Sequence, residues 1–117
     1  MIEFGEEQEK RAVQRDCRVW TKLMVEAWYS SDYPDATDYS PTALAQDLQE
    51  VYLTCHNNGL KNTDYMSLLG FLVIRAKMLN CSEADLDSIV GYFLIHARAE
   101  NVDYAQNWID LYLEGVA

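Results

Sequence analysis

Residues 65–79 form the most hydrophobic stretch of the chain and read Tyr-Met-Ser-Leu-Leu-Gly-Phe-Leu-Val-Ile-Arg-Ala-Lys-Met-Leu. A helix drawn through this stretch is apolar on every face, and its two charges, Arg75 and Lys77, lie near its C-terminal end. Such a helix needs cover on most sides, in a protein core or in a membrane. Its unbroken apolar run, residues 68–74, is far shorter than the roughly 20 residues that span a bilayer. The pattern therefore predicts a buried central helix that the other segments cover.

A first amphipathic helix is predicted from about Glu6 to Trp28 or Tyr29. Apolar residues recur along it at intervals of three and four, which places them on one helix face. Ala12, Val19 and Leu23 are expected to widen that face, and Trp28 to extend it by one turn. Its main members are Val13, Cys17, Trp20, Met24 and Ala27.

Basic side chains form a second stripe on this helix, again at helical spacing. One interpretation is a solvated face, supported by a Glu7–Arg11 pair one turn apart, which contributes a few tenths of a kcal/mol. The other is a strip that docks on an acidic surface, either a partner's or the C-terminal half of a second copy. The candidate self-association strip comprises Arg11, Arg15, Arg18, Trp20, Lys22 and Met24.

Residues 30–41 are predicted to be the one long loop, because both prolines of the chain lie there among Asp, Ser and Thr. Its two tyrosines either fold back onto the core with their hydroxyls in water or contact a partner. The spacing of its three central aspartates does not fit a calcium-binding loop, so we expect no calcium site. The candidate partner-binding residues are the end of the first helix and this loop: Trp28, Tyr29, Tyr33, Pro34 and Tyr39.

Capping residues predict where the second and third helices begin and end. Ser40 and Pro41 have the residue types of an N-cap and a first helical position. Gly59 is suited to the left-handed conformation that closes a helix. The central helix is expected to begin at Asn62 or Thr63.

The last two helices follow after short turns. Asn80 ends the central helix, and Ser82, with Asp85 three residues later, caps the fourth. Asp103 marks the start of the fifth. Short connections place successive helices as antiparallel neighbours. We therefore predict an all-α fold, a compact bundle of about five helices around residues 65–79, forming a single domain over residues 1–117 with residues 1–5 frayed.

Net charge excludes several classes of partner. The chain of 117 residues has a formal net charge of −10, from 19 acidic and nine basic side chains. Nucleic acids and anionic membranes both attract proteins through Lys and Arg, so we expect neither as a direct partner. The first seven residues lack the features of a secretory signal, and three cysteines without a close-spaced pair fit a reducing cytoplasm. We therefore expect a cytoplasmic location.

The sequence contains no local pattern typical of catalysis or of metal binding. His56 and His96 are not preceded by glutamate at the spacing of carboxylate-bridged metal bundles, and no close pair of ligands fits zinc. The cysteines occupy apolar positions, where a small buried hydrophobe is the ordinary role. We expect no enzyme activity, cofactor or metal, although a site built from Cys55 or Cys81 with His96 would leave no local signature.

Three functions from different classes remain. The aromatic residues exceed what the helix faces can bury, and charge is divided between a basic first helix and an acidic last third, with seven acidic residues and one basic residue after Asn80. Both features favour a surface that binds another protein. The hypotheses are an inhibitor or adaptor of one protein, an immunity protein that neutralises a basic toxin, and a small-molecule-binding domain or enzyme. We also expect a homodimer.

In size, acidity, helix count, aromatic-rich first helix and the loop at residues 30–41, the chain resembles the small all-helical anti-activators of bacterial quorum sensing. Those proteins bind the ligand-binding domain of a LuxR-type receptor and prevent it from dimerising and engaging DNA. The resemblance implies a transcriptional regulator as the partner. It concerns the chain as a whole and assigns no role to individual residues.

Overall fold

The structure is a computed structural model that describes residues 2–31 and 38–116, with side chains for residues 7–31 and 38–115. The described residues form five α-helices and no strand, which confirms the all-α prediction. The helices are α1 (Ile2–Tyr29), α2 (Pro41–Asn57), α3 (Thr63–Met78), α4 (Glu83–Arg98) and α5 (Val102–Val116).

Local capping explains the observed helix ends. The Ser40 hydroxyl accepts a hydrogen bond from the backbone N–H of Ala43 at 3.1 Å, which opens α2. The side chain of Asn62 accepts hydrogen bonds from two backbone N–H groups at the start of α3. The Ser82 side chain accepts one from a backbone N–H group at the start of α4. Gly59 closes α2 with a φ of +80°, as its residue type predicted.

Two boundaries differ from the sequence prediction. The first helix begins at Ile2 and not near Glu6, because the residues between them include no proline, and the one glycine, Gly5, weakens a helix without ending it. The fifth begins at Val102, one residue before Asp103. The predicted fraying of residues 1–5 is a statement about motion and stays a prediction.

The chain divides into two units, residues 1–49 and residues 50–117. The boundary between them falls inside α2, which is continuous in sequence and helical throughout. The single domain over residues 1–117 stays a prediction.

Unit 2 contains the hydrophobic stretch that dominates the sequence. Here α3 packs against α4 and α5, and α4 and α5 pack against each other. No residue from 65 to 79 is exposed, so the prediction that this helix is covered on most sides is confirmed. Fully buried side chains of this core include Leu69, Ile74, Phe93, Ile109 and Leu113.

In unit 1 the buried face of α1 is narrower than the sequence pattern predicts. Cys17, Trp20 and Met24 are buried as predicted. Val13 is half-buried, and Ala27 is exposed, so its placement on the buried face is wrong. Val19 and Leu23 are 57% and 59% exposed, so the expectation that they widen the buried face is wrong. Each precedes a buried residue by one position, and therefore points about 100° away from it around the helix.

Candidate partner-binding site

The partner surface predicted at the end of α1 needs correction at Trp28. This side chain is only 1% exposed, so it belongs to the core and offers no surface to a partner. The reason is its spacing: Trp28 follows Trp20 and Met24 at intervals of four residues, which keeps all three on the buried face of α1.

Tyr29 and Tyr39 are half-buried and connect the end of the loop to the helices on either side. The Tyr29 hydroxyl donates a hydrogen bond to the Tyr39 carbonyl, and the Tyr39 hydroxyl donates one to the Asp47 carboxylate. Burial, together with that hydrogen bond and the charge of Asp47, raises the pKa of Tyr39 well above its usual value. Tyr39 therefore has a structural role within unit 1. The other two predicted contact residues, Tyr33 and Pro34, lie outside the described residues.

The self-association strip predicted on α1 is divided by the structure into buried and exposed parts. Trp20 and Met24 are buried, which removes them from any surface. The four basic residues of the strip are exposed, and the apolar side chains near them are Val19 and Leu23. We call this set the α1 strip: Arg11, Arg15, Arg18, Val19, Lys22 and Leu23.

A larger exposed apolar surface lies on α5, on the face opposite its buried one. The buried face comprises Val102, Ala105, Ile109 and Leu113. Tyr104, Trp108 and Leu111 follow one another at intervals of four and three residues along the outer face, and are 46–68% exposed. A helix with apolar stripes on two faces needs two covers, and the core of unit 2 supplies one.

Aromatic rings join this outer stripe of α5 to α4. The ring centroid of Tyr92 lies 4.8 Å from that of Trp108 and 4.5 Å from that of His96. His96 in turn lies 5.2 Å from Tyr104, and Trp108 stacks on Tyr112 at 5.9 Å. Ile95, three residues after Tyr92, is 63% exposed and extends the surface across α4. We call this set the α4–α5 patch: Tyr92, Ile95, His96, Tyr104, Trp108, Leu111 and Tyr112.

Burial and neighbouring hydroxyl or carboxylate groups raise the pKa of two tyrosines of the patch. Partial burial and the neighbouring Tyr104 hydroxyl raise the pKa of Tyr92. The hydrogen bond to Asp85, followed by burial, raises the pKa of Tyr112. Tyrosine is uncharged at neutral pH even without these shifts, so each side chain offers an apolar ring and a polar hydroxyl in the same surface. Residues of this amphipathic kind are enriched where proteins bind one another.

Carboxylates lie along the rim of the patch. Asp103 and Glu114 are exposed on α5 next to the apolar stripe, and Asp85 is half-buried at the Tyr112 end. Arg98 is the one Arg or Lys after Asn80 in the sequence. Its guanidinium donates a hydrogen bond to the Asn58 carbonyl oxygen at 3.2 Å. The patch is therefore an aromatic and aliphatic surface with an acidic edge.

The sequence prediction of a fifth helix does not separate its apolar residues into two faces. The separating signal is present in the spacing, since residues 102, 105, 109 and 113 repeat at helical intervals independently of residues 104, 108 and 111. What spacing does not reveal is which face the protein itself covers.

Of the side chains considered for catalysis, Cys55 lies in the core and His96 lies in the α4–α5 patch. Cys55 is fully buried, and burial raises its pKa to about 11, which leaves little thiolate at neutral pH. His96 contacts the rings of Tyr92 and Tyr104 in the patch. Among the described side chains, no group of three or more His, Cys, Asp or Glu residues is arranged to hold a metal ion.

Comparison of the chain with protein families, curated proteins and solved structures gives no match. Within the described part of the chain, none of the helices combines the length and the hydrophobicity needed to cross a membrane.

Proposed function

We propose that this chain is a non-enzymatic inhibitor that binds another protein through the α4–α5 patch. The observation that carries the proposal is the exposure of Ile95, Tyr104, Trp108 and Leu111 on one surface of two packed helices. Large apolar side chains gathered in one exposed patch mark interaction sites on soluble proteins.

The chemistry of the patch defines the partner surface that it fits. Aromatic and aliphatic side chains supply the anchors, and the carboxylates Asp85, Asp103 and Glu114 favour Lys or Arg around them. A guanidinium or ammonium group also gains from lying over the Trp108 or Tyr104 ring. The expected partner therefore has an apolar contact surface bordered by basic residues.

The partner that we favour is a transcriptional regulator, held in a form that neither dimerises nor engages DNA. Support comes from the sequence resemblance to quorum-sensing anti-activators and from the basic surfaces that DNA-binding proteins carry. A net charge of −10 also favours a second candidate, an immunity protein that neutralises a basic toxin, because long-range attraction speeds association.

Affinity capture from the native host tests the proposal when it includes a matched pair of substitutions. Leu111→Ser removes an exposed anchor of the patch, and Leu53→Ser removes an exposed leucine of α2 outside it. We expect the wild type and Leu53→Ser to retain the same protein, and Leu111→Ser to lose it. Equal retention by all three would show that the patch is not the binding surface.

The retained protein then decides between the two candidates. If it is a regulator, adding the chain should abolish its binding to operator DNA in a mobility-shift assay. If it is a toxin, adding the chain should abolish its toxic activity. A retained protein that keeps its activity when saturated with the chain would contradict inhibition.

A further inference from the structure

We infer that two copies of this chain associate, with the α1 strip of one copy on the α4–α5 patch of the other. The α1 strip lies wholly in unit 1 and the α4–α5 patch wholly in unit 2. Both surfaces expose apolar side chains to solvent. The contact goes beyond the proposed function, because it needs no foreign partner.

The α1 strip has an aliphatic ridge with a basic border. Val19 and Leu23 are one helical turn apart, so they form a continuous ridge. Arg15 lies one turn before Val19, and Lys22 lies three residues after it. Three carboxylates lie beside the strip on α1: Glu7, one turn before Arg11, Asp16, whose Oδ1 is 3.5 Å from the Arg15 Nε, and Glu26. The four basic side chains of the strip outnumber them.

The α4–α5 patch is complementary in both respects. Its stripe of Tyr104, Trp108 and Leu111 offers the ridge an apolar seat, and Asp103 and Glu114 line the same edge of α5. The strip thus presents the chemistry that the patch is suited to bind: an apolar anchor bordered by positive charge.

Charge complementarity favours this contact over one between two α1 strips. Two α1 strips would bring eight Arg and Lys side chains together, and two patches would bring carboxylates together. A mainly basic surface meets an acidic one only when the strip faces the patch. If the strip of each copy contacts the patch of the other, two such contacts form and the buried area doubles. This helps to reach the roughly 1,200 Å² of a stable interface.

Sedimentation of the full chain with charge-reversed variants tests the contact. Arg15→Glu/Lys22→Glu reverses the strip, and Asp103→Lys/Glu114→Lys reverses the patch edge; all four residues are exposed. We expect the wild type to associate at about 100 µM and each variant alone to dissociate at least tenfold more readily. A mixture of the two variants should associate again, because the reversed strip then faces a reversed patch.

Several controls keep the result interpretable. The two variants move the net charge in opposite directions, so general repulsion cannot weaken association in both. Glu50→Lys/Asp64→Lys changes exposed residues outside both surfaces and should associate as the wild type does. Circular dichroism establishes that each variant folds, and Val19→Ser/Leu23→Ser is the uncharged test of the same ridge.

Three results would overturn the contact: a monomeric wild type at about 100 µM, a patch variant that associates normally, or a mixture that stays monomeric. The second result would point to contact between two α1 strips. Failure to find any foreign partner leaves these measurements unaffected. If both proposals hold, self-association covers the patch, and a partner has to displace the second copy.

Discussion

At the scale of single residues, Tyr39 shows how a loop residue acquires a structural role. Its carbonyl accepts the Tyr29 hydroxyl, and its own hydroxyl donates to Asp47 on α2. The residue thereby links the last turn of α1 to the second turn of α2 within unit 1. A hydrogen bond from a neutral donor to a charged acceptor is worth about 1.5–3 kcal/mol when water does not replace it.

Replacing Tyr39 with phenylalanine tests that role. We expect the free energy of unfolding to fall by about 1–2 kcal/mol, since the ring stays and the bond to Asp47 is lost. Tyr65→Phe, at another half-buried tyrosine, serves as the control and should change it by less than about 0.5 kcal/mol. Urea denaturation measures both, and equal values for the two variants would contradict the prediction.

The same residue predicts how stability depends on alkaline pH. Burial and Asp47 raise the pKa of Tyr39 above its ordinary value of 10.0, so the folded state holds the proton more tightly than the unfolded chain. The resulting stabilisation is complete below pH 10 and is lost as pH rises beyond it. Tyr39→Phe should therefore show a shallower loss of stability above pH 10 than the wild type does.

At the scale of helices, α5 presents two apolar faces with opposite fates. Ile109 is fully buried, and Leu111, two residues later, is 68% exposed. Ile109→Ala should cost about 2–5 kcal/mol through lost burial and the cavity that remains. Leu111→Ala should cost less than about 0.5 kcal/mol. Chemical denaturation of both variants checks the contrast, and a large loss for Leu111→Ala would place that side chain in a core.

An ion pair between helices offers a second test of packing in unit 2. Arg75 Nη1 on α3 lies 2.6 Å from Asp110 Oδ1 on α5, and both side chains are mostly sheltered from water. Asp110→Asn should lower the free energy of unfolding by about 1–2 kcal/mol. Asp87→Asn makes the same change of net charge at an exposed position and should have little effect. Equal thermal melting of the two variants would show that the pair contributes nothing.

The helices themselves could be predicted from local sequence, and the candidate site could not. Ser40, Asn62 and Ser82 cap helices through bonds within three residues of themselves, so the sequence contains all the information needed. Trp28 and Trp108 are the same residue type on amphipathic helices, yet one is buried and the other is exposed. Their difference depends on which face meets other segments, and that is a property of tertiary packing.

At the scale of the whole molecule, charge is the dominant property and is unevenly distributed. Five of the nine basic residues lie between Lys10 and Lys22, and seven of the 19 acidic residues follow Asn80. With a net charge of −10, like charges within the folded chain repel one another, and this repulsion lowers the stability of the folded state. The same negative charge attracts basic surfaces. For this reason the proposed partner surface and the α1 strip of a second copy are both apolar surfaces bordered by basic residues.

Salt should therefore stabilise this protein at neutral pH. With a net charge of −10, unpaired carboxylates outnumber the attractive pairs available to them. Raising sodium chloride from about 10 mM to about 100 mM shortens the screening length from ~30 Å to ~10 Å, and the melting temperature should rise by a few degrees. Near pH 4.4, the isoelectric point given by the sequence, the same step should have little effect, because net repulsion is then absent. A melting temperature that falls with salt at pH 7 would mean that attractions such as Arg75–Asp110 outweigh the repulsion among carboxylates. The acidic edge of the α4–α5 patch would then not lower the stability of the folded state.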